Sequence, residues 1–239
     1  MISIDTLLYE IDQRINKLAN NAHQQISLED KVIAISNGEI ELIKQKIGGP
    51  NTYGLDSFKK RYQDLQFLIE NYEDHPLSPV PKNSVLNRWI VNISSLSPKF
   101  MFYLDSYMIA DKVECKSRKI NCNTSLIKHS DINFLLNNTN YSPSFEYQET
   151  IADISVDELH YYTDGTFTPT KIYLSYLRYP KLVSPGNFEE IDGTISVKQD
   201  SELEEYLKDE LLNIVCLNLG FYTENPGAVE AASSKIKIE

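Results

Sequence analysis

Pro76-Leu77-Ser78-Pro79-Val80-Pro81 divides the chain into two regimes. Three prolines in six residues remove three backbone donors and fix three φ angles, so no helix continues through them. Before this stretch apolar residues recur every three or four positions. After it they come in short β-prone runs.

Working back towards the N-terminus, Leu7, Leu8, Ile11, Ile15 and Leu18 form one apolar stripe and predict a first helix. The polar Asn20, Asn21, His23, Gln24 and Gln25 read as a loop. Ser27 and Asp30 stand in the relation of a capping box, with Asp in place of Glu, and place the start of a second helix near Leu28. Its stripe is Leu28, Val32, Ile35, Leu42, Ile43 and Ile47, and Gly48-Gly49-Pro50 ends it. Gly38 inside that helix costs about 1 kcal/mol relative to Ala, which points to a kink or a close helix contact there. Leu55, Phe58, Tyr62, Leu65, Ile69 and Tyr72 predict a third helix over 56–72. Short loops between these segments imply antiparallel packing.

Working forward from the prolines, β-prone runs occupy 89–93, 100–109, 145–151, 159–162 and 171–179, and Asp164-Gly165 supplies a tight turn between two of them. A short helix over 131–136 is expected, capped by Ser130. Beyond Asp200 the helical pattern returns as Leu203, Leu207, Leu211, Ile214 and Val215, and it stops at Gly220. The predicted class is therefore α+β: an antiparallel helical bundle drawn from both chain ends, with a β-rich middle insertion. The boundaries are 1–75 for the N-terminal bundle, 84–197 for the insertion, 200–220 for the returning helix and 221–239 for an extended tail. That tail lacks the apolar surface to fold alone, and its Lys235-Ile236-Lys237-Ile238 alternation suits addition to a sheet edge.

An apolar fraction of 41% with 24% charged residues is ordinary globular composition, and no apolar run is long enough to cross a bilayer. The opening Met-Ile-Ser-Ile-Asp-Thr carries no basic, then hydrophobic, secretory pattern. Three cysteines, Cys115, Cys122 and Cys216, do not describe a disulfide framework and suggest a reducing compartment. A net charge of −11 argues against a phosphate-binding surface. The acid is concentrated over 187–210, with nine carboxylates against two lysines, as on a solvated helix face or a surface that repels DNA.

A search for chemistry returns little. No glycine-rich phosphate loop occurs. Cys115, Cys122 and His129 lack the close pairing that structural zinc requires, and His160 with Asp164 has no nucleophile elbow beside it. The fifteen tyrosines, Tyr161, Tyr162, Tyr173, Tyr176 and Tyr179 among them, suit sheet packing and protein interfaces. The expectation is a soluble, non-catalytic protein with no cofactor or metal and no membrane association, which works by assembly.

Several stretches carry a resemblance. They are Tyr176-Leu177-Arg178-Tyr179-Pro180, the upstream Thr163-Asp164-Gly165-Thr166-Phe167-Thr168-Pro169-Thr170, the opening Glu10-Ile11-Asp12-Gln13-Arg14-Ile15-Asn16-Lys17-Leu18, and Leu28-Glu29-Asp30-Lys31. With the downstream acidic helix, they resemble the head-to-tail connector proteins of crAss-like tailed bacteriophages, the ring or adaptor that docks below the portal. The resemblance implies a dodecameric ring, bound to the portal protein on one side and to another ring or tail protein on the other. Double-stranded DNA would pass through it without sequence-specific binding. The implied location is the virion, after assembly in the host bacterial cytoplasm. On this reading Tyr176, Arg178, Tyr179, Lys235, Ile236, Lys237 and Ile238 are candidates for subunit or portal contacts. Glu202, Glu204, Glu205 and Asp209 are candidates for a channel lining that DNA slides past. The competing expectation is a tail or surface binding module that recognises a host glycan or protein.

Overall fold

The computed structural model describes residues 1–18, 26–48, 63–71, 77–83, 87–112, 119–187 and 195–222. They fall into two compact units, one made of Met1–Leu68 with Pro180–Glu239, the other of Ile69–Tyr179.

The second unit is built on one curled, mixed sheet of eight strands. They are β1 (Ile69–Asn71), β2 (Val80–Asn83), β3 (Arg88–Asn92), β4 (Phe100–Lys112), β5 (Lys119–Leu126), β6 (Glu149–Ser155), β7 (Glu158–Tyr162) and β8 (Phe167–Arg178). The order across the sheet is β1-β8-β4-β5-β6-β7-β3-β2, and every neighbouring pair is antiparallel except β5 with β6. The parallel pair needs a crossover, and the chain between those strands supplies one that carries a helix, α3 (Ile132–Leu136).

The long β4–β8 pair, with the stacked Tyr107 and Tyr173 rings 4.7 Å apart, forms the spine. One sheet face buries Met108, Cys122, Leu159, Tyr161, Phe167 and Leu174 in the main core. The other face buries Ile151 and Tyr162 under Ile132 of α3. Full burial of one such side chain contributes roughly 1.5–3 kcal/mol. The Asp164-Gly165 turn forms as expected. Gly165 has φ +86°, and Asp164 Oδ1 accepts the Thr166 amide at 2.8 Å.

The first unit contains α1 (Ile4–Leu18), α2 (Leu28–Gly48) and α4 (Lys208–Tyr222), with α4 packed against the other two. Ser27 caps α2 as the sequence implies, its Oγ accepting the Asp30 amide at 3.1 Å and donating to Asp30 Oδ2 at 2.7 Å. Gly38 marks a close helix contact. A Cβ at that position would lie 2.7 Å from Val215 Cγ2 of α4.

This arrangement corrects the expected fold class. Among the described residues the chain is strand-rich, with one eight-stranded sheet, and is not an antiparallel helical bundle from both ends with an insertion. Two local misreadings account for much of the difference. The predicted third helix over 56–72 lies largely outside the described residues. Where the chain is described, it leaves helical geometry in a 3-10 turn, Gln66–Leu68, and enters β1. There the three/four spacing loses to tertiary pairing. Ile69 and Asn71 face Leu177 and Ser175 of β8, whose backbone groups would otherwise form an open edge. The polar strand β5, Lys-Ile-Asn-Cys-Asn-Thr-Ser-Leu, gave no β signal, yet only Cys122 and Thr124 of it are buried, one face of a period-two alternation. The short helix over 131–136 forms, but Ser130 does not cap it. Its Oγ donates to Asp131 Oδ1, and a 3-10 turn, His129–Asp131, leads in. Among the described residues no helix is long and apolar enough to cross a membrane.

Candidate functional site

The sheet places the expected interface residues unequally. Side chains alternate along β8, so Tyr176 points into the core, fully buried, and its hydroxyl donates to the Pro98 carbonyl at 2.6 Å. Arg178 is also buried. Its Nε donates to Glu70 Oε1 at 3.2 Å, tying β8 to β1, and its Nη1 donates to the Tyr179 carbonyl at 3.3 Å. Both side chains are occupied within the subunit. Tyr179 is the exposed member of the trio, with the Lys99 ammonium 5.3 Å from its ring centroid. Lys235, Ile236, Lys237 and Ile238 lie outside the described residues.

The acid set divides as well. Glu202 is buried, and its Oε2 accepts the Lys181 amide at 3.0 Å. Glu204 is half-buried. Glu205 and Asp209 are exposed and lean on Lys208 (3.5 Å) and Arg14 (2.6 Å) respectively.

The structure brings together a group that the sequence did not single out. Asp153 stands in the otherwise apolar Ile151-Ala152-Asp153-Ile154 of β6, fully buried, opposite His160 of β7. Its Oδ2 lies 2.6 Å from His129 Nδ1, and its Oδ1 accepts the Tyr162 hydroxyl at 3.1 Å. His160 Nε2 lies 3.0 Å from Glu158 Oε2, which also pairs with Lys82 of β2. A carboxylate can only accept, so in this contact His160 Nε2 is the donor and Glu158 the acceptor. His160 Nδ1 lies 3.2 Å from Asp153 Oδ1, a contact without hydrogen-bond geometry. Lys82 and His160 hold the Glu158 carboxyl below its usual range. Burial, with Asp153 adding to it, pushes the Tyr162 hydroxyl up to about 12, so it stays a donor.

These contacts clamp β2, β6, β7 and the 3-10 turn before α3. The Thr150 hydroxyl donates to the Tyr162 carbonyl at 2.7 Å. The cluster is built to hold strands in register. The signal for it in the sequence was the lone carboxylate inside an apolar run, since a buried charge needs partners. His160 had been set beside Asp164; its actual neighbours are Asp153 and Glu158.

Two outward-facing apolar features remain, one on each unit. In the first unit, residues 181–187 run antiparallel to 195–201. Ser184 and Gln199 exchange backbone hydrogen bonds of 2.9 and 2.8 Å, and the Asn187 amide donates to the Ser196 carbonyl at 3.0 Å. Pairing at Ser184 and Gln199 puts Leu182, Ile195 and Val197 on one side of this ribbon, exposed at 73%, 71% and 83%, while Val183 and Ser196 turn inward. The ribbon wears its apolar residues outside. In the second unit, Val156 at the β6–β7 hairpin tip is 90% exposed.

No protein-family model and no curated protein matches this chain.

Proposed function

We propose that the chain is a structural subunit that acts by assembling with other proteins, as a ring component of the head-to-tail connector of a tailed bacteriophage. It docks to the portal protein, contacts further copies of itself in a ring through exposed surfaces rather than through the buried Tyr176 and Arg178, and joins the portal to another ring or tail protein. Assembly takes place in the host bacterial cytoplasm and the product belongs to the virion. The observation that carries this reading is the ribbon formed by residues 181–187 and 195–201, whose exposed Leu182, Ile195 and Val197 stand where a free monomer would carry polar side chains. The resemblance in the stretches around Tyr176, Asp164 and Glu10 supplies the kind of assembly. Within it, Glu205 and Asp209 are the exposed acids available to face passing DNA, whereas Glu202 is committed to the interior.

Native mass spectrometry of the full chain, alone and mixed with the portal protein of the same genome, tests the proposal. Stoichiometric binding to an intact portal ring is the expected result. No association with an intact portal ring would overturn the connector reading and favour a distal or free binding module.

A further inference from the structure

Glu39 stands where an aliphatic residue would complete the stripe of α2, one turn beyond Ile35 and one turn before Ile43, and the fold leaves it 1% exposed. Its Oε1 has no hydrogen-bond partner, and the carboxyl accepts the Ser201 hydroxyl. A leucine would pack at this position without burying a polar group, so packing alone does not account for an acid there.

Ser201, fully buried, is the centre of a junction. Its amide donates to the Ile2 carbonyl at 3.0 Å, and its carbonyl accepts the Ile2 amide at 3.2 Å. On one side of it Asp200 Oδ1 accepts the amide of Ile4, the first residue of α1, at 3.0 Å. On the other side Glu202 Oε2 accepts the Lys181 amide, on the opposite strand of the ribbon, at 3.0 Å. Three consecutive side chains therefore tie the start of α1, the middle of α2 and both strands of the ribbon to one point.

The charges around Glu39 do not neutralise it. Glu202, the charge that acts on it, has the same sign and is committed to Lys181, whose Nζ lies 3.7 Å from Glu202 Oε1. On α4, Lys208, Asp209 and Glu210 pair with Glu10, Arg14 and Lys46, and on α1 Asp5 and Asp12 pair with Lys198 and Lys31. Glu41 of α2 accepts the Gln45 and Asn218 side-chain amides. A proton is left to do what a cation does elsewhere. Burial, opposed by the Ser201 hydrogen bond and reinforced by Glu202, moves the Glu39 carboxyl from 4.5 up to about 7.

We propose that Glu39 is a proton-operated latch on this junction. Protonated, it lets the junction close around Ser201. Ionised, it sets two buried carboxylates against each other, and the junction opens locally, releasing Ile2 and the base of the ribbon from α2 while α4 keeps its packing. The latch belongs to the first unit by itself and does not depend on the ring reading. Its sign follows from the raised value: the closed state is fully favoured below 4.5 and loses ground as pH rises through 7. With the open junction returning the carboxyl to water, the closed-to-open ratio falls about 70-fold between pH 5 and pH 8.

Hydrogen exchange on the full-length chain, resolved by residue and corrected for the intrinsic rate at each pH, reads the latch directly. The Ile4, Lys181 and Ser201 amides should lose protection about 70-fold from pH 5 to pH 8, with little dependence on low guanidinium concentrations. Leu212 and Val215 in α4 should remain better protected at both pH values and should depend steeply on guanidinium. In Glu39→Gln the junction amides should hold one protection factor across the range. Constant protection in wild type, a Glu39→Gln chain that keeps the wild-type pH dependence, or junction amides that match Leu212 and Val215 in protection and guanidinium dependence would each overturn the latch. Infrared spectroscopy of the wild-type chain supplies a readout that needs no variant. A protonated glutamate carboxyl band should be present at pH 6 and gone by pH 8, and its absence at pH 6 overturns the proposal as well.

Discussion

Glu39 allows a quantitative test of the packing in the first unit. It lies on the face of α2 that also carries Gly38, Leu42 and Ile43, and is 1% exposed. Its Oε1 has no hydrogen-bond partner, the Ser201 hydroxyl donates to the carboxyl, and the buried Glu202 adds a repelling charge. Burial is the largest effect, followed by the opposing hydrogen bond and then Glu202; together they push the Glu39 carboxyl from 4.5 up to about 7. Between those two values the folded chain holds a proton that the unfolded chain has released, so stability falls as pH rises through this window. At pH 5 little of this loss has occurred, roughly 0.8 kcal/mol, and at pH 8 it is nearly complete, roughly 3.3 kcal/mol. Glu39→Gln retains a neutral side chain of similar shape and removes the titration. Its stability relative to wild type should therefore improve by about 2.5 kcal/mol between pH 5 and pH 8. Guanidinium unfolding of both chains at the two pH values measures this, because titrating groups that do not interact with Glu39 cancel in the difference. A variant-minus-wild-type difference that stays constant within about 0.5 kcal/mol would refute the reasoning.

Gly38→Ala should destabilise the protein by about 1–3 kcal/mol despite its better helix propensity, because Val215 is stiff at χ1 and cannot retreat from the new methyl. Adding Val215→Ala should recover most of that loss in urea melts of the double variant. Asp153→Ala leaves the Tyr162 hydroxyl and His129 without their shared acceptor and should cost about 2–4 kcal/mol in denaturant unfolding, with faster amide exchange in β6 and β7. Ser27→Ala removes the cap of α2 and should cost about 1 kcal/mol in thermal unfolding, whereas Ser130→Ala, at a position that caps nothing, should be silent.

Legibility followed the range of the interactions. The cap at Ser27, the turn at Asp164-Gly165 and the close approach at Gly38 are local or single-residue signals, and each could be read directly. Most of the long strands could be read too, because Trp89, the 100–109 run and the 171–179 run carry aromatic and β-branched residues. The missed β5 and β1 are strands by virtue of their neighbours. β5 is polar and is kept extended by β4 on one side and β6 on the other, and β1 is three residues that finish the edge of β8. With those two restored, the middle of the chain becomes the organising sheet. The Asp153 cluster was hidden for a related reason: its members come from three sequence-distant places, Lys82, His129 and the β6–β7 hairpin, and only the β6–β7 register brings Asp153 opposite His160. Tyr176 and Arg178 were read as anchors from residue type, but type does not say which way a strand turns. The parity of β8 sends Tyr176 into the core.

The same limit explains why the ribbon face carries information. Ile195-Ser196-Val197 alternates as a strand should, and parity divides such a run into two faces without saying which is inside. Ordinarily burial inside the chain settles this in favour of the apolar set. Here the fold buries Ser196 and Val183 and leaves Leu182, Ile195 and Val197 outside. An inverted alternation is not favourable for an isolated subunit, because about 25 cal/mol for each Å² of that apolar surface is still unrealised. It becomes favourable when a second surface completes the burial.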